Sequence, residues 1–228
     1  MKLASLNKLT LLDYPGKVAC IMFTQGCNFC CPFCQNSTLI KKNGEEEISE
    51  KELFDYLNKR KKILDGICIS GGEPLMHDDI DLLIERIKDL GYKVKLDTNG
   101  SYPEHLQKLI DHKLIDYVAM DIKNDFKKYN ETSGTKNIDI DKIKKSIKIL
   151  KESNIDYEFR TTIIKEFHTV EDIKKISEYI GKDAKYYIQN YQDSENVLMK
   201  GLHGFSHDEL EDIEKLRQIY PNLSVRGL

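Results

Sequence analysis

The run KVACIMFTQGCNFCCPFC, from Lys17 to Cys34, joins apolar and β-branched residues to a loop with four of the chain's six cysteines. Its first seven residues, Lys17 to Phe23, predict a buried strand. Runs of the same kind recur along the 228 residues, and each is followed by a helix-like segment. Strands that alternate with helices in this way predict a parallel sheet with right-handed crossovers.

Five further strands and several helices follow from the same patterns. The later strands are Gly66 to Ser70, Tyr92 to Asp97, Asp116 to Lys123, Asp156 to Ile164 and Lys185 to Asn190, with LSVRG near the end as one more candidate. Helices are predicted at Asp79 to Leu90, Asp139 to Ser153 and Thr169 to Ile180, and after the capping-box sequences SEKE at Ser49 and SHDE at Ser206.

Six strand–helix units are too few for a closed eight-unit barrel, which typically needs about 250 residues. We therefore predict an α/β fold, a partial (β/α)6 barrel with an open parallel sheet, with a doubly wound sheet as the alternative. No linker or repeat divides the chain, so residues 1–228 are interpreted as one domain. Residues 1–16, with DYPG as a turn, are predicted to form a hairpin extension.

Composition narrows the class of protein. Charged residues make up 32% of the chain and the net charge is −3, while lysines alternate with acids along predicted helices. This pattern is typical of solvated helix faces and does not predict nucleic-acid binding. No apolar stretch approaches the ~20 residues that span a bilayer, and no signal peptide is evident. We predict a cytoplasmic protein, in which clustered cysteines favour a metal or catalysis over disulfides.

The cysteine spacing allows two interpretations. Paired Cys-x2-Cys motifs could bind zinc, but Cys30 and Cys31 would then ligate one small ion from adjacent positions. Alternatively, Cys27, Cys31 and Cys34 hold three irons of a cubane and Cys30 is a bystander. Full ligation takes four cysteines, so this arrangement leaves one iron open to a substrate or cofactor.

Unusual polar residues follow the other predicted strands. Because sites in parallel α/β folds lie where strands end, these residues are expected at one rim of the sheet. They are Gly71-Gly72-Glu73-Pro74, Asp97-Thr98-Asn99-Gly100, Asp121-Ile122-Lys123, Arg160 and Gln189-Asn190. Asp97 or Asp121 alone could instead cap a following segment.

Cys27-x3-Cys31-x-Phe33-Cys34, with GGEP one strand later, resembles the signature of the radical S-adenosylmethionine (SAM) superfamily. LLDYPGKVACIMFTQGCNFCCPFCQN, DTNG and MDIK resemble motifs of glycyl radical enzyme activases, especially activators of anaerobic ribonucleoside-triphosphate reductase. The likeness extends to about Gln189. It implies a [4Fe-4S] cluster, SAM, reductive cleavage of SAM and abstraction of a glycine α-hydrogen from a partner enzyme.

The resemblance also implies roles for particular residues. Cys27, Cys31 and Cys34 would bind the cluster, and Gly71, Gly72 and Glu73 would hold the methionyl amino group. The other implied contacts with the cofactor are Phe33 and Gln189 near adenine, Asp97, Thr98 and Asn99 near the ribose and carboxylate, Arg160 at the carboxylate, Lys123 facing the cofactor, and Asp121 beside a monovalent cation. A histidine near the cofactor has two candidates, His168 and His203, between which the sequence does not choose.

The remaining cysteines limit the subclass. Cys20 and Cys68 lie in separate predicted strands, where they are interpreted as small buried apolar residues, so a second cluster is not expected. The segment from Gln35 to Ile48 is too short for an inserted ferredoxin module. Electrons would come from an external donor, a flavodoxin or ferredoxin. The alternatives to an activase are a radical SAM enzyme acting on a small molecule, such as a deazapurine synthase, and a non-catalytic zinc or iron–sulfur protein.

Overall fold

A computed structural model describes residues 1–41 and 48–226, and these form one sheet of eight strands with helices between them. The strands are β1 (Leu3–Thr10), β2 (Ala19–Thr24), β3 (Gly66–Gly71), β4 (Lys93–Thr98), β5 (Tyr117–Asp121), β6 (Asp156–Ile163), β7 (Tyr186–Asn190) and β8 (Leu223–Arg226). Their spatial order equals their order in the chain, and every pair from β2 to β8 is parallel. The predicted α/β class and open parallel sheet are therefore confirmed.

At the two edges of the sheet, β1 and β8 add to the six predicted strands. LSVRG supplies β8, although Gly227 lies outside the described residues. Residues 1–16 do not form a hairpin by themselves, because their single strand β1 pairs antiparallel with β2. DYPG belongs to the connection between those two strands, where Tyr14 is buried against Tyr117 at the start of β5.

The helices connect consecutive parallel strands. They are α1 (Glu50–Arg60), α2 (Ile80–Asp89), α3 (Pro103–Asp111), α4 (Tyr129–Ser133), α5 (Ile140–Glu152), α6 (Val170–Ile180) and α7 (His207–Glu214), with 3-10 turns at Ser37–Leu39, Pro74–Met76, Phe126–Lys128 and Lys215–Gln218. The predicted capping boxes at Ser49 and Ser206 are present. The sequence predicts that the last helix continues to about Tyr220, but α7 ends at Glu214 and is followed by a 3-10 turn. No helix in the described part of the chain is long and apolar enough to cross a membrane.

Helix α3 was not predicted, although its sequence carries signals for it. Pro103 occupies the first turn, where its missing N–H costs no hydrogen bond. Leu106 and Leu109 are fully buried and lie three residues apart, a helical spacing. The segment has only nine residues and begins three residues after the DTNG motif, so its apolar period is too short to indicate a helix by itself.

The sheet separates two chemically different faces. Alternate residues of one strand point to opposite faces, and residues paired across neighbouring parallel strands share a face. Met22, Ile69, Leu96 and Val118 are paired in this way, are fully buried, and belong to the apolar core with the helices. The opposite, concave face carries the charged residues that build the candidate site.

Candidate active site

A cavity of about 400 Å³ opens at the carboxyl-terminal ends of β2 to β7. Most of the residues that the sequence predicts at one rim of the sheet line this cavity. The predicted residues that line it are Cys27, Phe33, Cys31, Cys34, Gly71, Gly72, Asp97, Thr98, Asn99, Asp121, Lys123, Arg160 and Gln189. Three thiols, a glycine pair and a group of charged side chains therefore face one space.

The cysteine loop is held by backbone hydrogen bonds to two other segments. The Cys27 N–H donates to the carbonyl oxygen of Ile40 at 3.1 Å, and the Cys30 N–H donates to that of Ser133 at 2.9 Å. Gly134, with φ of 62°, lies so close that a Cβ there would be 1.9 Å from the Cys30 carbonyl oxygen. Close approach of α4 to this loop therefore requires glycine after the helix.

The four thiols of this loop differ in their surroundings. Cys31 is buried, Cys27 and Cys34 are half-buried, and all three line the cavity, whereas Cys30 is exposed and does not. Burial raises the pKa of Cys27 to about 12 and that of Cys31 to about 11, although the nearby Lys123 ammonium opposes both shifts. These thiols stay protonated at neutral pH until a bound cation compensates for their ionisation.

Gly71 and Gly72 let the loop after β3 approach the cysteine loop. A Cβ on Gly72 would lie 1.9 Å from the carbonyl oxygen of Gly26, and Gly71 has a φ of 127°, which side chains disfavour. The Glu73 N–H donates to the same Gly26 carbonyl at 2.8 Å. The glycine pair therefore leaves exposed backbone on the cavity wall directly beside Cys27.

Glu73 is the one predicted cofactor residue whose side chain does not line the cavity. It is fully buried, and its carboxylate accepts hydrogen bonds from the Asn99 N–H at 2.7 Å, the Thr98 hydroxyl at 2.8 Å and the Leu75 N–H at 3.1 Å. Burial raises the pKa of Glu73 to about 7, although these donors lower it. Glu73 thus ties the loop after β3 to the loop after β4.

Five charged side chains of alternating sign form a chain across the concave face. Lys95, nearly fully buried, pairs with Asp97, which also lies 3.4 Å from the Arg160 guanidinium. The Arg160 Nε donates to Asp121 at 2.9 Å, and the other Asp121 oxygen accepts from Lys123 at 3.0 Å. Arg160 and Lys123 hold the pKa of Asp121 far below its usual range. Both carboxylates are therefore ionised and fixed, and neither caps a helix.

Lys95 and Cys68 are members of this face that the sequence reasoning missed or misread. Lys95 lies two residues before Asp97, so both point to the same face of β4, and a lysine inside an apolar strand was the available signal. Cys68, on β3, is buried as predicted, but its Sγ lies 3.7 Å from the Lys95 ammonium. Its surroundings are polar, unlike those of Cys20 on the opposite face.

The structure separates the two candidate histidines. His168 is buried, its Nε2 lies 2.8 Å from the Lys123 carbonyl oxygen, and its ring packs edge-on against Phe33 at 6.3 Å. His203 is exposed, with its Nδ1 2.7 Å from Glu166. Neither lines the cavity, but His168 supports two residues that do.

Comparison with known proteins identifies the family. The family model of the radical SAM superfamily matches residues 21–180. The chain belongs to the radical SAM superfamily. A protein of Methanocaldococcus jannaschii provisionally named a glycyl-radical enzyme activating enzyme is 34% identical over 227 residues, covering 96% of this chain and 93% of that protein. This near full-length match places the chain among the radical SAM activating enzymes and confirms the resemblance drawn from the sequence.

Two further comparisons match parts of other proteins; the first supports this assignment and the second shows the fold. Pyruvate formate-lyase-activating enzyme of Clostridium pasteurianum is 30% identical over 129 residues, 54% of this chain and 52% of that protein. SuiB of Streptococcus suis, solved with its precursor peptide SuiA and with SAM, shares the fold with a TM-score of 0.67 at 19% identity. The match covers 91% of this chain, which spans about half the length of SuiB.

Membership of the radical SAM superfamily implies a [4Fe-4S] cluster and SAM. The residues present fit both groups. Three thiols face the cavity and the fourth faces away, which matches a cluster with one iron free of protein ligands. Within residues 1–41 and 48–226, no three histidine, cysteine or acidic side chains converge on a point that would hold a single metal ion. The glycine backbone and four charged side chains line the same cavity, so donors and acceptors for a polar cofactor are present there.

Proposed function

We propose that this protein is a radical SAM activase that abstracts a glycine α-hydrogen from a partner enzyme, with anaerobic ribonucleoside-triphosphate reductase as the first candidate. The observation that carries this proposal is the common cavity of three thiols, a glycine pair and four of the five alternating charges, Asp97, Arg160, Asp121 and Lys123. When bound, the reduced cluster would supply one electron to the sulfonium of SAM, whose S–C5′ bond would then break into methionine and a 5′-deoxyadenosyl radical able to take a hydrogen atom. A flavodoxin or ferredoxin is the proposed donor of that electron.

The cavity residues would bind and orient the cofactor. Cys27, Cys31 and Cys34 would hold the cluster, and the exposed backbone of Gly71-Gly72 would accept from the methionyl amino group. Lys123 and Arg160 would place positive charge at the methionyl carboxylate, since a planar guanidinium suits that group.

The other end of the cofactor would meet a different set of residues. Phe33 and Gln189 would contact adenine, while Asp97, Thr98 and Asn99 would meet the ribose and carboxylate end. Glu73 would act through Thr98 and Asn99, because its own oxygens are engaged with them.

A monovalent cation beside Asp121 would share that carboxylate with two side chains of the protein. One Asp121 oxygen accepts from Arg160 and the other from Lys123. SAM affinity measured in sodium, potassium and choline buffers of equal ionic strength tests the cation. Equal affinity in all three buffers would contradict a bound monovalent cation. Arg160 and Lys123 would then be the cations that pair with Asp121.

The proposed substrate is a peptide loop of a larger protein. The sheet ends in two separate edges, β1 and β8, so the concave face is open on one side. With the cofactor in the cavity, little of this chain remains to enclose a small molecule. A glycine α-hydrogen is the expected target, because the resulting radical is stabilised by both flanking amide groups.

The test uses a partner reductase labelled with α-deuterated glycine, incubated anaerobically with this protein, SAM and reductant. We expect deuterium in 5′-deoxyadenosine and a carbon-centred radical on the partner by electron paramagnetic resonance. A parallel incubation with pyruvate formate-lyase distinguishes the partner. If 5′-deoxyadenosine forms without deuterium and no glycyl radical enzyme of the same organism gains a radical, the activase function is wrong and a small-molecule substrate replaces it.

A further inference from the structure

Tyr129, the first residue of α4, packs directly behind the cysteine loop. Its side chain is fully buried, and its ring lies edge-on to Phe29 with centroids 6.4 Å apart. Ser133 of the same helix accepts the Cys30 N–H at 2.9 Å. Helix α4 and the cysteine loop therefore form one packed unit, which fixes the position of Tyr129 relative to the thiols.

The hydroxyl of Tyr129 differs from those of three other buried tyrosines. Tyr92 donates to the Leu57 carbonyl at 2.7 Å, Tyr117 donates to Glu158 at 2.9 Å, and Tyr186 pairs with the Thr161 hydroxyl at 2.7 Å. The Tyr129 hydroxyl has no hydrogen-bond partner of normal geometry among residues 1–41 and 48–226. A buried O–H without an acceptor costs free energy, so this one needs an explanation.

The groups around this hydroxyl belong to the candidate site. Burial raises the pKa of Tyr129 well above its usual range. Two groups of the site act on the same pKa: the Lys123 N–H and ammonium lower it, and Cys31 raises it further. Tyr129 is therefore a neutral phenol. The Lys123 N–H approaches its oxygen, while its proton has no acceptor of normal geometry in the described part of the chain.

We propose that Tyr129 donates a hydrogen bond to the Sγ of Cys31 when that sulfur ligates the cluster as a thiolate. This proposal rests on the cluster assigned under the proposed function and is independent of the partner enzyme. A cysteine thiolate accepts a hydrogen bond far better than a thiol does, and its negative charge strengthens the bond. Hydrogen bonds to cluster sulfurs stabilise the more negative reduced state, so Tyr129 raises the reduction potential of the cluster.

The test is a potentiometric titration of the iron-loaded protein, followed by electron paramagnetic resonance of the reduced cluster. Tyr129→Phe should lower the ratio of reduced to oxidised cluster at a fixed potential by roughly three- to tenfold, which corresponds to about 30–60 mV for one electron. Tyr92→Phe is the matched control, because it removes a buried hydroxyl that is bonded to Leu57. It should leave the potential unchanged. An unchanged potential in Tyr129→Phe, or an equal shift in Tyr92→Phe, would overturn the proposal.

A second measurement needs no variant. After exchange of the wild-type protein into D2O, electron-nuclear double resonance of the reduced cluster should show an exchangeable deuteron coupled to it. Tyr129→Phe should lose that coupling. If the variant does not load iron, the wild-type spectrum decides: a coupled deuteron supports the proposal, and its absence refutes it. Both readouts require only the cluster, so a failure to activate any partner would leave them intact.

Discussion

The two faces of the sheet are built from the same strands but carry different kinds of side chain. On β4, Leu96 is fully buried in the apolar core, while its neighbours Lys95 and Asp97 form an ion pair on the concave face. The outer face is stabilised by apolar burial, and the concave face by charges that satisfy one another. Adjacent residues can therefore contribute separately to the core and to the candidate site, because the strand period of two sends them to opposite faces of the sheet.

The largest effect is expected in the cysteine loop, where the adjacent Cys30 and Cys31 are exposed and buried, respectively. Cys27→Ser, Cys31→Ser or Cys34→Ser should lose most of the bound iron, because each removes a thiol of the cavity. Cys30→Ser should keep about four irons per chain, the stoichiometry of a cubane. Iron analysis after anaerobic reconstitution measures this. Equal iron loss in Cys30→Ser would show that the exposed thiol is a ligand and that our register is wrong.

Leu96→Ala tests the apolar face. Truncating this fully buried leucine should lower the free energy of unfolding by about 2–5 kcal/mol, from lost burial and the cavity left behind. Chemical denaturation measures the change. Leu82→Ala is the control, since Leu82 is exposed on α2 and should change stability by less than about 0.5 kcal/mol. Weaker SAM binding by the folded Leu96 variant would mean that the two faces are not independent.

Glu73 gives a pH-dependent test of the buried polar rim. Its pKa is raised by burial to about 7, above an unfolded value near 4.5, so the folded state binds the extra proton between these pH values. Stability from this group is therefore present below pH 4.5 and is lost as the pH rises through 7.

The measurement compares unfolding free energies of wild type and Glu73→Gln at several pH values. The advantage of wild type should shrink by up to about 3 kcal/mol between pH 4.5 and 7, because a shift of one pKa unit is worth about 1.4 kcal/mol. Thr98→Val, which removes one donor to Glu73, serves as a control that retains the titrating group. A constant difference across this range would mean that Glu73 stays ionised when folded.

The smallest effects are expected from single charges of the concave face. Lys123→Ala and Arg160→Ala should each weaken SAM binding roughly 10- to 150-fold, the loss of one charge-assisted contact of about 1.5–3 kcal/mol. Iron content should stay at the wild-type level, because neither side chain is a thiol ligand. Equilibrium binding to the iron-loaded protein measures the affinity, and Lys127→Ala, an exposed lysine nearby, is the control. Wild-type affinity in both variants would show that neither Lys123 nor Arg160 contributes to SAM binding.

Much of the site was predictable because its residues follow strands. Parallel strands end at one edge, so Gly71, Asp97, Asp121 and Arg160 could be expected together before any contact was known. The orientation of Glu73 was not predictable in the same way. Its motif suggested a cofactor contact, but its carboxylate turns inward to the backbone of Asn99, 26 residues later in the chain.

Local sequence patterns predicted the alternation of strands and helices and the rim at which polar residues gather, and they favoured the three-thiol register of the cysteine loop, which stays a prediction. These features depend on periodicity and spacing over a few residues. Three other features became visible only in the folded structure: Arg160 joins Asp97 to Asp121, Lys95 is buried beside Cys68, and Tyr129 packs behind the cysteine loop. Those contacts join segments tens of residues apart, and which side chains meet there is fixed by packing and charge pairing that no local pattern records.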